Sequence, residues 1–453
     1  MKFHIRYIAA AATMIASLAA TAQNYSAYFL DDYAYNYQHN PAMALDRKFD
    51  ISLPLLGSLN VGTRANVGVR DFVFKQKDGM LTSFLNPNVS ASDFMGKLHN
   101  HNRIGFNLNE QIFSYGFRAF GGYNHVSIGV QADAQLRLPK SMFAFLKEGI
   151  TNRTYDIGRI DVNANAYAEI ALNHSRSLEK FVPGLRVGGS FKFLIGFANM
   201  DLNLDKADIE LGEDNWRAVT NGTIRMNLPG VRYSTATSKD GVDYVDGVKF
   251  DGFGVGGYGM AIDLGATYRL NKDWDFALAF NNIGFINWKD NVEASTNGDR
   301  VVSTNDYPLN ASDFDDSMDA LTDALSSLYQ LNDNGNTGSR CRALAGTMNA
   351  SARYTLPVYR QLTFGLLNTT HMARRYAWTE FRLSANVTPV KWLGVGVNYG
   401  LGSFGSSFGW ILNIAPKGFN LYVGMDHTIG KLSKQYVPLN LNSQFSFGIN
   451  FPI

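Results

Sequence analysis

A single cysteine, Cys341, stands in 453 residues, which excludes an intramolecular disulfide framework and leaves a lone thiol, more often inert than catalytic. Charge is sparse and balanced. Forty-one Lys and Arg face 39 Asp and Glu, 18% of the chain with a net +2, so no basic footprint for nucleic acid is present. No stretch approaches the roughly 20 apolar residues of a spanning helix, so a membrane form of this chain has to cross with strands closed into a barrel. Also missing are a Pro/Ser-rich linker, a low-complexity tract and a solenoid repeat. No nucleophile, base and orienter stand together, which points away from an enzyme; a membrane-embedded hydrolase with scattered residues is the weakest of three readings.

What is present is glycine and aromatic side chains: 43 Gly, 31 Phe and 22 Tyr. At the start, Lys2, His4 and Arg6 precede "YIAAAATMIASLAA", and Ala20-Thr21-Ala22 forms a small-x-small cleavage site. Residues 1–22 are therefore expected to be a removed secretory signal. Position 23 is Gln rather than Cys, so a lipoprotein anchor is not expected.

Beyond it, period-two alternation dominates. Ile160, Val162, Ala164, Ala166, Ala168, Ile170 and Leu172 share one face, while Asp161, Asn163, Asn165, Tyr167, Glu169 and Asn173 share the other. This is too long for an ordinary strand of five or six residues. Near the end, Phe381, Leu383, Ala385 and Val387, then Leu393, Val395, Val397 and Tyr399, alternate with Gly, Ser, Asn and an occasional charge. A soluble sandwich needs Lys and Glu on its second face; lipid outside and a crowded lumen inside account for both faces. Phe445, Phe447, Ile449, Phe451 and Ile453 form the final alternating strand, expected to close the barrel against the first. Short connections near 270, 357, 388 and 415 alternate with longer ones, the asymmetry of periplasmic turns and outer loops. The expected fold is an all-β transmembrane antiparallel barrel of about 14 strands, with the barrel over 49–453 and a helical extracellular loop at about 291–346.

Ser312 with Asp315 reads as a capping box, and Phe314, Met318, Leu321, Leu325 and Leu328 as a helical stripe. This predicts a helix over 311–331, packed on strand extensions or serving as a lid. "GFGVGGYG", Gly252 to Gly259, leads into a strand pattern, so its glycines read as a hinge rather than a phosphate loop. His99 and His101 lack a third ligand nearby; no metal and no cofactor is expected. Residues 23–48 are rich in tyrosine and too irregular for a lipid-facing strand. They are expected to form a hatch that presents Tyr33, Tyr35, Tyr37 and His39 to the lumen, the plainer alternative being a periplasmic tail.

"YQHNPAMA" (Tyr37 to Ala44), "NNIGFINWKDN" (Asn281 to Asn291), "NVTPVKWLGVGVNYG" (Asn386 to Gly400) and "PKGFNLYVGMDH" (Pro416 to His427) resemble uncharacterised Bacteroidota outer-membrane barrels related to FadL/TodX-type and PorV proteins. The resemblance implies that Asn40, Pro41 and Ala42 belong to a luminal plug. It implies a bacterial outer-membrane location and a passive channel or binding protein for a small hydrophobic molecule. The alternative it implies is a non-transporting, PorV-like secretion-accessory or docking barrel with a protein partner at its outer loops. Outer-membrane lipid and the barrel-assembly machinery, reading the aromatic C-terminal strand, are the other implied partners.

Overall fold

The computed structural model describes residues 24–452 except positions 44, 46, 55–56, 77–79, 149–151, 213–214, 238–240, 242, 308–313 and 429–440. The expected signal segment, the Ser312 cap and Ile453 lie outside the described residues.

Fourteen antiparallel wall positions close into a barrel. In chain order they are β1 (Phe49–Ser52 with Ser58–Ala65), β2 (His101–Ala119), β3 (Gly122–Pro139), β4 (Ile160–Ser177), β5 (Leu185–Leu211), β6 (Trp216–Asn227 with Gly257–Arg269) and β7 (Trp274–Trp288). The second half runs β8 (Gly346–Thr355), β9 (Leu362–Met372), β10 (Trp378–Val390), β11 (Leu393–Gly402), β12 (Gly405–Ile414), β13 (Asn420–His427) and β14 (Ser443–Pro452). Each pairs with the next, and β14 pairs with β1 through Phe447 opposite Leu59 and Phe451 opposite Ile51. Closure leaves no sheet edge, which hydrocarbon would leave unsatisfied.

The alternation runs inside out relative to a soluble protein. On β6, Tyr258, Met260, Ile262 and Leu264 are exposed while Ala261 and Asp263 are buried; on β10, Phe381 and Leu383 are exposed while Glu380 and Arg382 are buried. On β14, Phe445 faces out while Gln444, Ser446 and Asn450 are buried. Each large outward side chain gains about 1.5–3 kcal/mol in leaving water for lipid. With this exterior the chain is an outer-membrane barrel.

One carboxylate breaks the outer face. Glu110 pairs with Leu59 and Val130, and Leu59 pairs with Phe447 midway along β14, so it sits near mid-height on the lipid side. Just past it the register shifts between Gln111 and Phe113, and the bulge restores the aromatic face of Tyr115 and Phe117. Glu110→Leu should therefore raise the unfolding free energy of the reconstituted barrel by about 1–2 kcal/mol, read from the urea midpoint in liposomes. An unchanged midpoint would mean that the carboxylate is not in contact with lipid.

The connections at 270–273, 356–361, 391–392 and 415–419 are short, and the opposite rim carries the bulk. There the structure departs from the expected 291–346 loop. Val292–Ser295 and Arg300–Ser303 prolong β7, and Asn332–Asn336 with Arg340–Ala343 lead into β8. Among the described residues the helix of that region is Phe314–Ser327, ending before the expected position 331. Its C-terminal end is held on the strand extensions: Arg300 donates to the Ser327 carbonyl at 3.3 Å and Thr220 to that of Leu328 at 2.6 Å. A cation at that end suits the helix dipole.

Candidate functional site: the plugged lumen

Residues 24–48 form three short 3₁₀ turns, Tyr25–Ala27, Asn36–Gln38 and Pro41–Met43, whose rings and carbonyls engage the inward face of the wall. Tyr33 meets Tyr422 edge-on at 4.8 Å, and the Tyr422 hydroxyl lies 2.7 Å from that of Ser58. Tyr35 donates to the Ile449 carbonyl at 2.8 Å. Tyr37 stacks on His125 at 4.0 Å and donates to Gln111 at 2.9 Å. The His39 carbonyl accepts from Asn281 at 2.8 Å and Asn349 at 3.0 Å. Asn40 donates to the Ala266 carbonyl at 3.1 Å, and its oxygen accepts the Ala42 N–H at 2.9 Å. The Pro41 carbonyl accepts from Asn173 at 3.4 Å. All seven residues, Tyr33 to Ala42 as named, are buried. The wall makes room with glycine: a Cβ at Gly265 would strike Asn40 and Pro41, and one at Gly365 would strike Phe29.

The first described residues are held most firmly. The Asp426 carboxylate accepts the Tyr25 N–H at 2.8 Å and, at 2.6 Å each, the Ser26 N–H and hydroxyl. Asn398 donates to Ser26 at 2.8 Å, and Arg382 bridges Glu380 at 2.5 Å, Asn398 and the Asp426 carbonyl. Asp426, Arg382, Glu380 and Asn398 are each less than a tenth exposed. Charge-assisted bonds in such a dry setting are the strong ones, and breaking one leaves a buried charge uncompensated.

On the outer side of this plug lies a cavity of about 390 Å³. Its wall is polar: Asn163, Asn165 and Asp133 are joined by Arg340 and Arg342, which both bind Asp201, Arg340 at 2.6 Å. Asp161 takes Arg137 at 3.3 Å and Arg375 from the β9–β10 loop. In that loop Tyr376 donates to the Asp161 carbonyl at 2.7 Å; burial, then the Asp161 carboxylate, pushes its phenol well above the ordinary range, so it stays a donor. Aromatic and apolar surface comes from Tyr25, Tyr167, Trp288, Leu344 and Trp378. Arg64 bridges the two characters, its guanidinium 4.2 Å over the Trp378 ring and 5.9 Å from that of Tyr25. Tyr25 belongs to residues 24–48, so that segment forms part of the cavity wall.

The tyrosines and the Asn-Pro-Ala element are singled out in the sequence and meet here. The charged wall is not, although "NMDLNLD" places Asp201, Asn203 and Asp205 at period two, a pattern that marks inward charges in a long strand. The final-strand residues Phe445, Phe447, Ile449 and Phe451 stand at the barrel seam, away from the cavity. His101 faces the Arg137 guanidinium at 3.1 Å. Among the described residues no group of three or more His, Cys, Asp or Glu could hold a metal.

The profile of a family of unknown function, DUF5723, matches residues 41–426. No curated protein matches the sequence. Among solved structures, the Ralstonia pickettii toluene transporter TbuX shares 10% identity, covering 96% of this chain and 94% of its own, with a TM-score of 0.42. The Pseudomonas putida toluene transporter TodX shares 8%, covering 96% and 93%, at 0.38. A Pseudomonas aeruginosa FadL homologue shares 9%, covering 92% and 91%, at 0.32. Values this low transfer neither residues nor ligand.

Proposed function

We propose, for a chain that belongs to the family of unknown function DUF5723, a passive channel and binding protein of the outer membrane for a small, largely hydrophobic molecule that carries a polar head. Residues 1–22 are the removed signal, 23–48 the gating hatch and 49–453 the barrel. The ligand sits in the outer cavity, its apolar part against Tyr25, Tyr167 and Trp378 and its head toward Arg64, Arg340 and the asparagines. Because Tyr25 lies in both the cavity wall and the hatch, occupancy of the cavity and seating of the hatch are linked, and displacement of the hatch opens the way to the periplasm.

The observation that carries this reading is the shared wall: the cavity is lined in part by the plug itself. Pockets with an apolar body and a few convergent polar groups are ordinary ligand sites. No covalent chemistry is involved.

Deletion of residues 24–46 should turn reconstituted liposomes leaky to small solutes by an order of magnitude or more, since an emptied barrel leaves an aqueous path. Native mass spectrometry of the detergent-extracted full chain should find a retained small molecule. If permeability is unchanged and nothing is retained, transport fails and a docking barrel becomes the better account.

A further inference from the structure

β6 is one wall strand made of two separate segments. Asn227 ends the first opposite Asn199 of β5, and Gly257 begins the second opposite Gly196. Residues 228–256 leave the wall at this point and return to it. They carry a hairpin, Val231–Thr237 paired with Asp243–Phe250, which the sequence did not reveal.

The insert is fixed at its root and farther along. Asp251 N–H donates to the Gly230 carbonyl at 2.7 Å, Gly256 N–H to that of Gly196 at 2.7 Å, and Val245 N–H to that of Leu331 at 2.7 Å. Gly230 takes a φ of +82°, and a Cβ there would collide with the backbone of Gly252; only glycine suits that crossing.

At its foot the insert is apolar and uncovered. Phe253 is 87% exposed, Phe250 and Val255 about half, and the two Phe rings meet edge to face at 4.8 Å. Water is a poor solvent for such a group on a hairpin that has no core of its own. Below the foot the surface does not change character. Val255 stands three residues before Tyr258, which stacks with Phe193 at 5.9 Å, and Met260 and Phe285 continue the exposed row down the wall. Lys289 lies 5.5 Å from the Tyr258 ring, and Lys249 precedes Phe250 on the hairpin opposite Arg232, whose ion partner is Asp251 at 4.0 Å. Aromatic rings beside cations are the signature of a membrane boundary.

We propose that the foot of this insert is a lipid-binding surface in the outer leaflet. Phe250 and Phe253 lie at the acyl boundary, and Lys249 and Lys289 reach anionic headgroups. The insert thereby extends the lipid-facing band of the barrel beyond the wall strands. The proposal rests on the membrane reading of the barrel but not on transport.

In a Cys341→Ser background, spin labels on F253C, F193C and T237C of the full chain in liposomes test it by power saturation. Phe193 is on the lipid face and Thr237 is exposed near the hairpin tip. The label at 253 should resemble that at 193, with its ratio of oxygen to nickel-chelate accessibility severalfold above that at 237. A ratio like that at 237 overturns the proposal, as does protection from both reagents, which would mean that protein covers the foot. A water-like ratio at 193 would instead strike at the barrel reading. Phe253 is 87% exposed and meets the Phe250 ring, so F253C removes little packing from the fold.

Discussion

Asp426→Ala unseats the hatch while the barrel stays folded. The substitution removes one acceptor for three hydrogen bonds from Tyr25 and Ser26, and two of the stranded donors are backbone N–H groups in a dry interior. It also deletes a buried negative charge beside Arg382, which keeps Glu380. Losing one partner of a buried charged network costs on the order of 3–5 kcal/mol, and nearly all of it falls on the seated state, because the displaced hatch solvates its own N–H groups. The seated-to-displaced ratio should fall by a factor of roughly 100 or more. Liposomes carrying D426A should leak at a rate approaching that of the hatch deletion, and protease should cut between residues 24 and 48. The heat-modifiable gel shift of the barrel should persist. Unchanged leakage and protection would show that the Asp426 contacts do not hold the plug.

The second large effect comes from the glycine wall. Valine suits a strand, so Gly265→Val with Gly365→Val leaves β6 and β9 formed. Both positions lie against the hatch: the new Cβ atoms meet Asn40 and Pro41 on one side and the Phe29 ring on the other. Overpacking of this kind costs about 1–3 kcal/mol per site, and Tyr28, whose ring meets both Phe29 and His39, couples the two sites. Hydrogen exchange should accelerate over Tyr25–Met43 and remain slow in β6 and β9. If exchange accelerates equally in the wall, the glycines serve the strands rather than the plug.

Much of the barrel can be read from the chain because lipid imposes a single rule on every wall strand. One face of Phe445 to Phe451, or of Tyr258 to Leu264, has to be apolar, and that alternation is visible without any partner. Where the wall rises out of lipid, the rule lapses. Val292–Ser295, Arg300–Ser303 and Asn332–Asn336 are too short to show a period-two contrast that separates them from a loop, although Ala294 and Val302 are buried. Their strand identity comes from pairing with β6 and one another. The break in β6 is hidden for a related reason: residues on either side of 228–256 keep the strand pattern, and only the register along β5 shows that they continue one line. The tyrosines and the Asn-Pro-Ala element mark residues 33–42 in the sequence, and the structure buries the named side chains against the inner wall. The cavity was not legible in the sequence. Asp201 meets Arg340 and Arg342 across separations of 139 and 141 residues, a meeting set by the wall's curvature and not by local spacing.

The seam between β1 and β14 carries a lesson about assembly. The hatch touches wall strands from β2 round to β14, so its full set of partners exists only once the ring is shut. Zipping the last strand onto the first is thus also the moment at which the stopper is corked. A chain stalled before Ser443 would hold an open gutter with its N-terminal tyrosines wet until the ring closes.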